Sequence, residues 1–159
     1  MNELKLTVDL IPRTAFNLSL YNYFKEHGQL DKWNKIKQEL FKSEGRQCWI
    51  CSDKNTRFEA HEYWEYDEAS YIQKLISIHH LCSMCHKVKH ISYWGTTDER
   101  LEQLSRIGLS RDDLVGHFCK VNNCSIEEFY KHLKESSSIH ARRSKIQWKQ
   151  DFGKYLPDE

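Results

Sequence analysis

Two C-x2-C pairs, Cys48-Trp49-Ile50-Cys51 and Cys82-Ser83-Met84-Cys85, constrain this chain more than any other feature of its sequence. A C-x2-C turn sets two sulfurs apart by about one edge of a tetrahedron, and two such turns complete the four-thiolate set that zinc prefers. The thirty intervening residues, 52–81, exceed the usual zinc-ribbon spacing, so an element the size of a β-hairpin has to fit between the turns. The expectation is one structural Zn²⁺ held by Cys48, Cys51, Cys82 and Cys85, which contributes folding free energy because its ligands assemble only in the folded chain. A closed set of four cysteines leaves no open coordination position, so this ion by itself predicts stability and not catalysis.

Paired cysteines of this kind point to a metal in a reducing compartment rather than to disulfides. Residues 1–10 alternate polar and apolar instead of forming a signal-peptide core, and no apolar run approaches the roughly 18–20 residues that cross a bilayer. A cytoplasmic protein with no membrane attachment is expected. With 159 residues, 39% hydrophobic and 30% charged, the composition is globular, and the length predicts a single domain over residues 1–159. The net charge of +1 removes the general argument that a polycation seeks nucleic acid, so any such surface has to be a local patch. Cys119 and Cys124 stand apart from the two pairs and read as small buried hydrophobes.

Leu4, Leu6, Val8 and Leu10 alternate with polar residues, which predicts a half-buried strand ending at Pro12. Leu30, Trp33, Ile36, Leu40 and Phe41 recur at helical spacing over residues 29–43, with Gly45 as the stop. Residues 57–66 and 70–80 read as two strands, and residues 82–93 as a helix. Residues 96–145 form a helical extension, in which Leu101, Leu104 and Ile107 share a stripe that stops at Gly108. Ser110 is an N-cap, and Ser125 with Glu128 makes a capping box. The serines 136–138 suggest a frayed or bent helix. Residues 146–152 alternate again, which predicts a terminal strand paired with the first one.

Between and just after the cysteine pairs lie Ala60-His61-Glu62 and the run Leu81-Cys82-Ser83-Met84-Cys85-His86-Lys87-Val88-Lys89-His90. Their order resembles that of the zinc-bearing members of the HNH nuclease family over residues 47–90, and residues 46–91 resemble in particular a bacterial and phage HNH-like subgroup; the implied HNH-like core covers residues 46–93. It implies an α+β fold with a ββα-metal module that carries the four-cysteine knuckle, flanked by helices and short terminal strands. It also implies metal-dependent hydrolysis of phosphodiester bonds, foremost in DNA, with a second divalent ion (Mg²⁺, Mn²⁺, Ni²⁺ or Zn²⁺) between strand and helix. His86 and His90 are four apart, so on a helix they share a face and can chelate one ion. Two registers remain for the strand: His61 as the catalytic base, or His61 as a third ligand with Glu62 as the base. The family's middle asparagine has no counterpart; Ser77 is nearest, with His79 and His80 close by.

Phosphate contacts are expected from Lys87 and Lys89 near the site, and from Arg142, Arg143 and Lys145 in the basic stretch 131–149. The rival reading is a non-catalytic, zinc-stabilised module that binds nucleic acid or protein, and a protein partner or a homo-oligomer is compatible with either.

Overall fold

The computed structural model describes residues 3–157; residues 1, 2, 158 and 159, part of the expected 1–159 unit, lie outside the described residues. Seven α-helices and three strands are described: α1 Leu20–Glu26, α2 Leu30–Glu44, β1 Phe58–Asp67, β2 Ile72–Cys82, α3 Ser83–Lys89, α4 Ile91–Trp94, α5 Asp98–Arg106, α6 Arg111–Asn122, α7 Ile126–Arg143 and β3 Lys149–Asp151. The fold is mixed α+β around a three-stranded sheet ordered β1-β2-β3.

β1 and β2 form an antiparallel hairpin in which Phe58 faces Cys82 and Asp67 faces Ile72. The Asp67 carboxylate closes the turn by accepting from the backbone N–H groups of Ala69 and Ser70 at 3.0 and 3.2 Å, an Asx-type turn. A bulge between Tyr63/Ser77 and Trp64/Leu75 leaves Ile76 without a cross-strand partner.

One face of the sheet packs on α1 and α2 through Leu20, Phe24, Trp33, Leu75 and Ile78. A larger core joins the cysteine knuckle, α3, α4, α5, α6 and α7 through Leu81, Val88, Ile91, Leu104, Leu114, Phe118 and Phe129. The expected caps form: Ser110–Asp113 and Ser125–Glu128 are both reciprocal capping boxes. Ser136–Ser138 stay within α7, with Ser137 and Ser138 donating to carbonyls one turn back.

The amino-terminal segment departs from expectation. Leu6 and Val8 are buried as their alternation requires, but the segment is no strand. Three of its backbone donors go to side chains: Lys5 and Leu6 N–H to Asn122 Oδ1 at 2.8 and 3.0 Å, and Val8 N–H to His132 Nε2 at 2.9 Å. The segment is thus a strap across α6 and α7. β3 consequently pairs with β2, in parallel, and not with the amino-terminal segment. The helix expected over 82–93 also breaks at His90, because the Lys89 carbonyl accepts from Asp9 N–H at 3.0 Å instead of from the next helical turn.

Candidate metal centres

The first C-x2-C pair sits in a tight turn after α2. Ser52 N–H donates to Cys48 O at 3.0 Å and Cys48 N–H to Asp53 O at 2.9 Å, and Ser52 takes a left-handed φ of 66° to close it. The second pair lies where β2 meets α3. Cys82 is the N-cap residue of α3, its sulfur accepting from Cys85 N–H at 3.3 Å. The hairpin brings the pairs together, so that one sulfur from each of the four cysteines lies within 4.8 Å of the others.

Cys51 and Cys82 sulfurs are 3.6 Å apart, against about 3.8 Å for the edge of a tetrahedron with Zn–S near 2.3 Å. Hydrogen bonds from Cys82 and Cys85 hold the Cys48 thiol well below its usual range, while the interaction with Cys48 pushes Cys82 up to about 12 and Cys85 higher. Ionisation of Cys48 thus works against ionisation of Cys82 and Cys85 beside it. A divalent ion is the species that lets all four ionise, so the donor set fits zinc. His117 Nε2, on α6, lies 3.2 Å from the Cys85 sulfur, where its N–H can orient and stabilise that thiolate.

A second cluster stands beside the first. Side chains alternate along β1: Ala60 and Trp64 pack toward α1 and α2, while His61 and Tyr63 point the other way, toward α3. His61 meets His86 and His90 with ring centroids 5.4 and 5.1 Å away, and the latter two are 4.9 Å apart. One nitrogen from each of the three rings lies within 4.8 Å of the others. The break at His90 thus preserves the pairing that the four-residue spacing predicts.

Each ring is tied by a carboxylate or by burial. His61 Nε2–H donates to Asp9 Oδ2 at 3.0 Å, which leaves Nδ1 with a free lone pair. His86 Nδ1 lies 2.6 Å from Glu59 Oε2, which leaves Nε2. Burial, reinforced by the neighbouring His61 and His86, pushes His90 down to about 3; burial also lowers His61 against the opposing pull of Asp9. Burial raises the Asp9 carboxyl, but the hydrogen bond from His61 and the charge of Lys89 outweigh it and bring Asp9 down to about 2. His61 and His90 are therefore neutral imidazoles near pH 7, and a set of three imidazoles with carboxylate partners behind two of them suits a borderline divalent cation. Unlike the cysteine set, three ligands leave coordination positions open.

Glu62 is not part of this cluster. The strand turns it to the opposite face of β1, where its carboxylate accepts from the backbone N–H groups of Leu20 and Tyr21 at 2.9 and 3.3 Å and caps α1. Burial raises its pKa against those two donors. His79 and His80 are engaged elsewhere: His79 Nδ1–H donates to Glu44 at 2.7 Å under the Trp49 ring, and His80 Nε2–H donates to Lys37 O at 3.0 Å against Phe41. Ser77 lies opposite Tyr63 in the hairpin.

The basic residues divide. Lys89, expected at a phosphate-binding surface, is 2% exposed; its ammonium is spent on Thr7 Oγ1 at 2.9 Å and on Asp9 at 3.2 Å, because the strap closes over it. Lys87 donates to Ser83 Oγ at 2.6 Å. Arg142 and Arg143 both donate to Glu68 in the hairpin turn, Arg143 while lying over Tyr66. Lys145 is exposed.

Asp9, Glu59 and His117 carry no local motif. Glu59 was accessible as the residue two before His61 on the same face of a strand; Asp9 becomes visible only once the strap is placed. No described helix is long and apolar enough to cross a membrane. No family model matches the chain, and neither does any curated protein or solved structure.

Proposed function

We propose that the chain is a metal-dependent nuclease of HNH type, which hydrolyses phosphodiester bonds in DNA at the His61, His86 and His90 cluster, with zinc on the four cysteines as its structural ion. The observation that carries this reading is the convergence of the three imidazoles, from β1 and from α3 with its C-cap, within 4.8 Å. They lie beside a hairpin whose second strand runs directly into α3, an order that agrees with the ββα-metal arrangement of that family.

A divalent ion at this position supplies Lewis-acid stabilisation of the leaving oxygen of a phosphodiester. The protein's own part is positional. Asp9 fixes the tautomer of His61 and Glu59 fixes that of His86, so that each presents its remaining nitrogen inward. Burial keeps His61 and His90 neutral and available as ligands. Under this reading His61 is a metal ligand, as in the second of the two strand registers, but Glu62, whose carboxylate is committed to α1, has no part in the chemistry.

The same observation about Glu62 favours the second reading, a zinc-stabilised binding module without cleavage, because it takes away the carboxylate next to His61. Digestion of DNA by metal-stripped protein resupplied with Mg²⁺, Mn²⁺, Ni²⁺ or Zn²⁺ separates the two. Cleavage that disappears in His86→Ala supports the nuclease; a folded, zinc-loaded protein that cuts with none of the four supports the binding module.

A further inference from the structure

A cleft of about 720 Å³ opens directly beside His90, with Asp9, Arg13, Phe16, Asn17 and Tyr93 among its lining residues. Its size falls within the range of small-ligand sites. Two large rings reach solvent on its rim: Phe16 is 65% exposed and Tyr93 43%. Exposed aromatic rings gathered at one cleft are a recognised sign of a binding surface.

The rings are held in place. Ala15 N–H donates to Pro12 O at 2.9 Å and Leu18 N–H to Ala15 O at 3.0 Å, a short turn on which Phe16 is carried. The turn is anchored to the end of α7 by Arg13 N–H donating to Ser144 Oγ at 3.1 Å, and His140 Nε2–H donates to Ile11 O at 3.1 Å just before it. Tyr93 has the Arg100 guanidinium against its face, 3.3 Å from the ring centroid. A stacking ring on an anchored turn is preorganised and loses little freedom on binding.

The charge suits an anion. Arg13 lines the cleft and Arg100 stands behind Tyr93, while Asp9, the carboxylate among the described lining residues, is already paired with the Lys89 ammonium and accepts a hydrogen bond from His61. A ligand with a flat aromatic face and a negative backbone satisfies both halves of this surface. A nucleobase in a duplex hides its faces against its neighbours, so Phe16 can serve only a base outside the stack.

We propose that this cleft receives an unpaired nucleobase of single-stranded nucleic acid, stacked on Phe16 with Arg13 and Arg100 at the flanking phosphates, and so sets the scissile strand beside His90. The inference rests on the phosphodiester reading of the histidine cluster for its function, but not for its test, which reads binding alone. Zinc-loaded full-length protein, without further divalent ion, is titrated into fluorescently labelled twelve-residue oligothymidylate, the matching oligouridylate, and a duplex of the same length. Anisotropy gives the affinities for the parent, Phe16→Ala and Arg13→Ala.

The expected result is tighter binding of at least one single strand than of duplex, a loss of about fivefold or more for that strand in Phe16→Ala, and an unchanged duplex affinity. The two single strands tell whether the sugar matters. Equal losses on single strand and duplex, no loss in Phe16→Ala, or no single-strand binding by the parent overturns the cleft assignment. Because Phe16 is exposed and outside both cores, its removal leaves the fold intact, which circular dichroism checks. A protein that binds in the expected pattern yet cuts nothing keeps the cleft and removes the nuclease reading. A Phe16→Ala variant that cuts single strands at the parental rate removes the cleft and keeps the nuclease.

Discussion

Asp9 Oδ2 lies 3.0 Å from His61 Nε2, a contact between the amino-terminal strap and the first strand of the hairpin. Lys89 holds the same carboxylate from α3 at 3.2 Å, so three separate segments converge on one acid. The contact fixes which nitrogen of His61 faces its fellow imidazoles. Asp9→Asn is expected to weaken binding of the second divalent ion about 10- to 100-fold while zinc remains near one per chain. Calorimetric titration with Mn²⁺ or Ni²⁺, alongside zinc analysis, checks this; an unchanged affinity removes Asp9 from the site.

Glu62 tests the choice of register. Its carboxylate caps α1 through Leu20 and Tyr21 N–H, and a glutamine oxygen can accept in its place. Glu62→Gln should therefore cut DNA about as fast as the parent, and Glu62→Ala should lose about 0.5–2 kcal/mol of stability in urea denaturation. A rate loss of about a hundredfold or more in the glutamine variant would identify a general base.

Stability should fall on acidification, with a sign set by buried histidines. Val8 N–H donates to His132 Nε2, which must be unprotonated to accept, and burial holds His132 below its ordinary 6.5. The unfolded chain then binds more protons than the folded one below pH 6.5, so stability is fully present above that pH and is lost as pH falls through it. His61 and His90 act with the same sign. His132→Gln, whose oxygen accepts from Val8 without titrating, should make the slope shallower between pH 7.5 and 5. Urea midpoints across that range measure it, and a slope identical to the parent's contradicts the assignment.

Cys82→Ser separates the thiolate from the cap. Serine is a good N-cap residue and can accept from Cys85 N–H as the sulfur does, so the start of α3 survives the change. The loss of one thiolate should nonetheless take zinc from about one per chain toward none and lower the melting temperature. A variant that keeps its zinc and melts like the parent refutes the structural role of this site.

Much of this architecture is legible in the sequence because it rests on local rules. The hairpin, α2, the cap at Ser110 and the Ser125–Glu128 capping box follow from periodicity and capping chemistry, and the cysteine cluster follows from the spacing of two turns. What escapes involves distant partners. The alternation of Leu6 and Val8 reports burial truthfully but cannot say that Asn122 and His132 side chains, and no neighbouring strand, take the backbone donors. Lys89 looks like a surface lysine until the strap closes over it, and Glu62 looks like a neighbour of His61 until strand alternation sends it to the other face. The break after Lys89 has the same origin: a backbone donor from Asp9, eighty residues earlier.

The most direct measurement is cleavage of supercoiled and linear DNA by parent protein and His86→Ala, purified identically, stripped of the labile metal and resupplied with Mg²⁺, Mn²⁺, Ni²⁺ or Zn²⁺. Cleavage by the parent with at least one ion and none by the variant is expected, with zinc near one per chain in both. Full cleavage by His86→Ala, or none by a folded and zinc-loaded parent with any of the four ions, would contradict it.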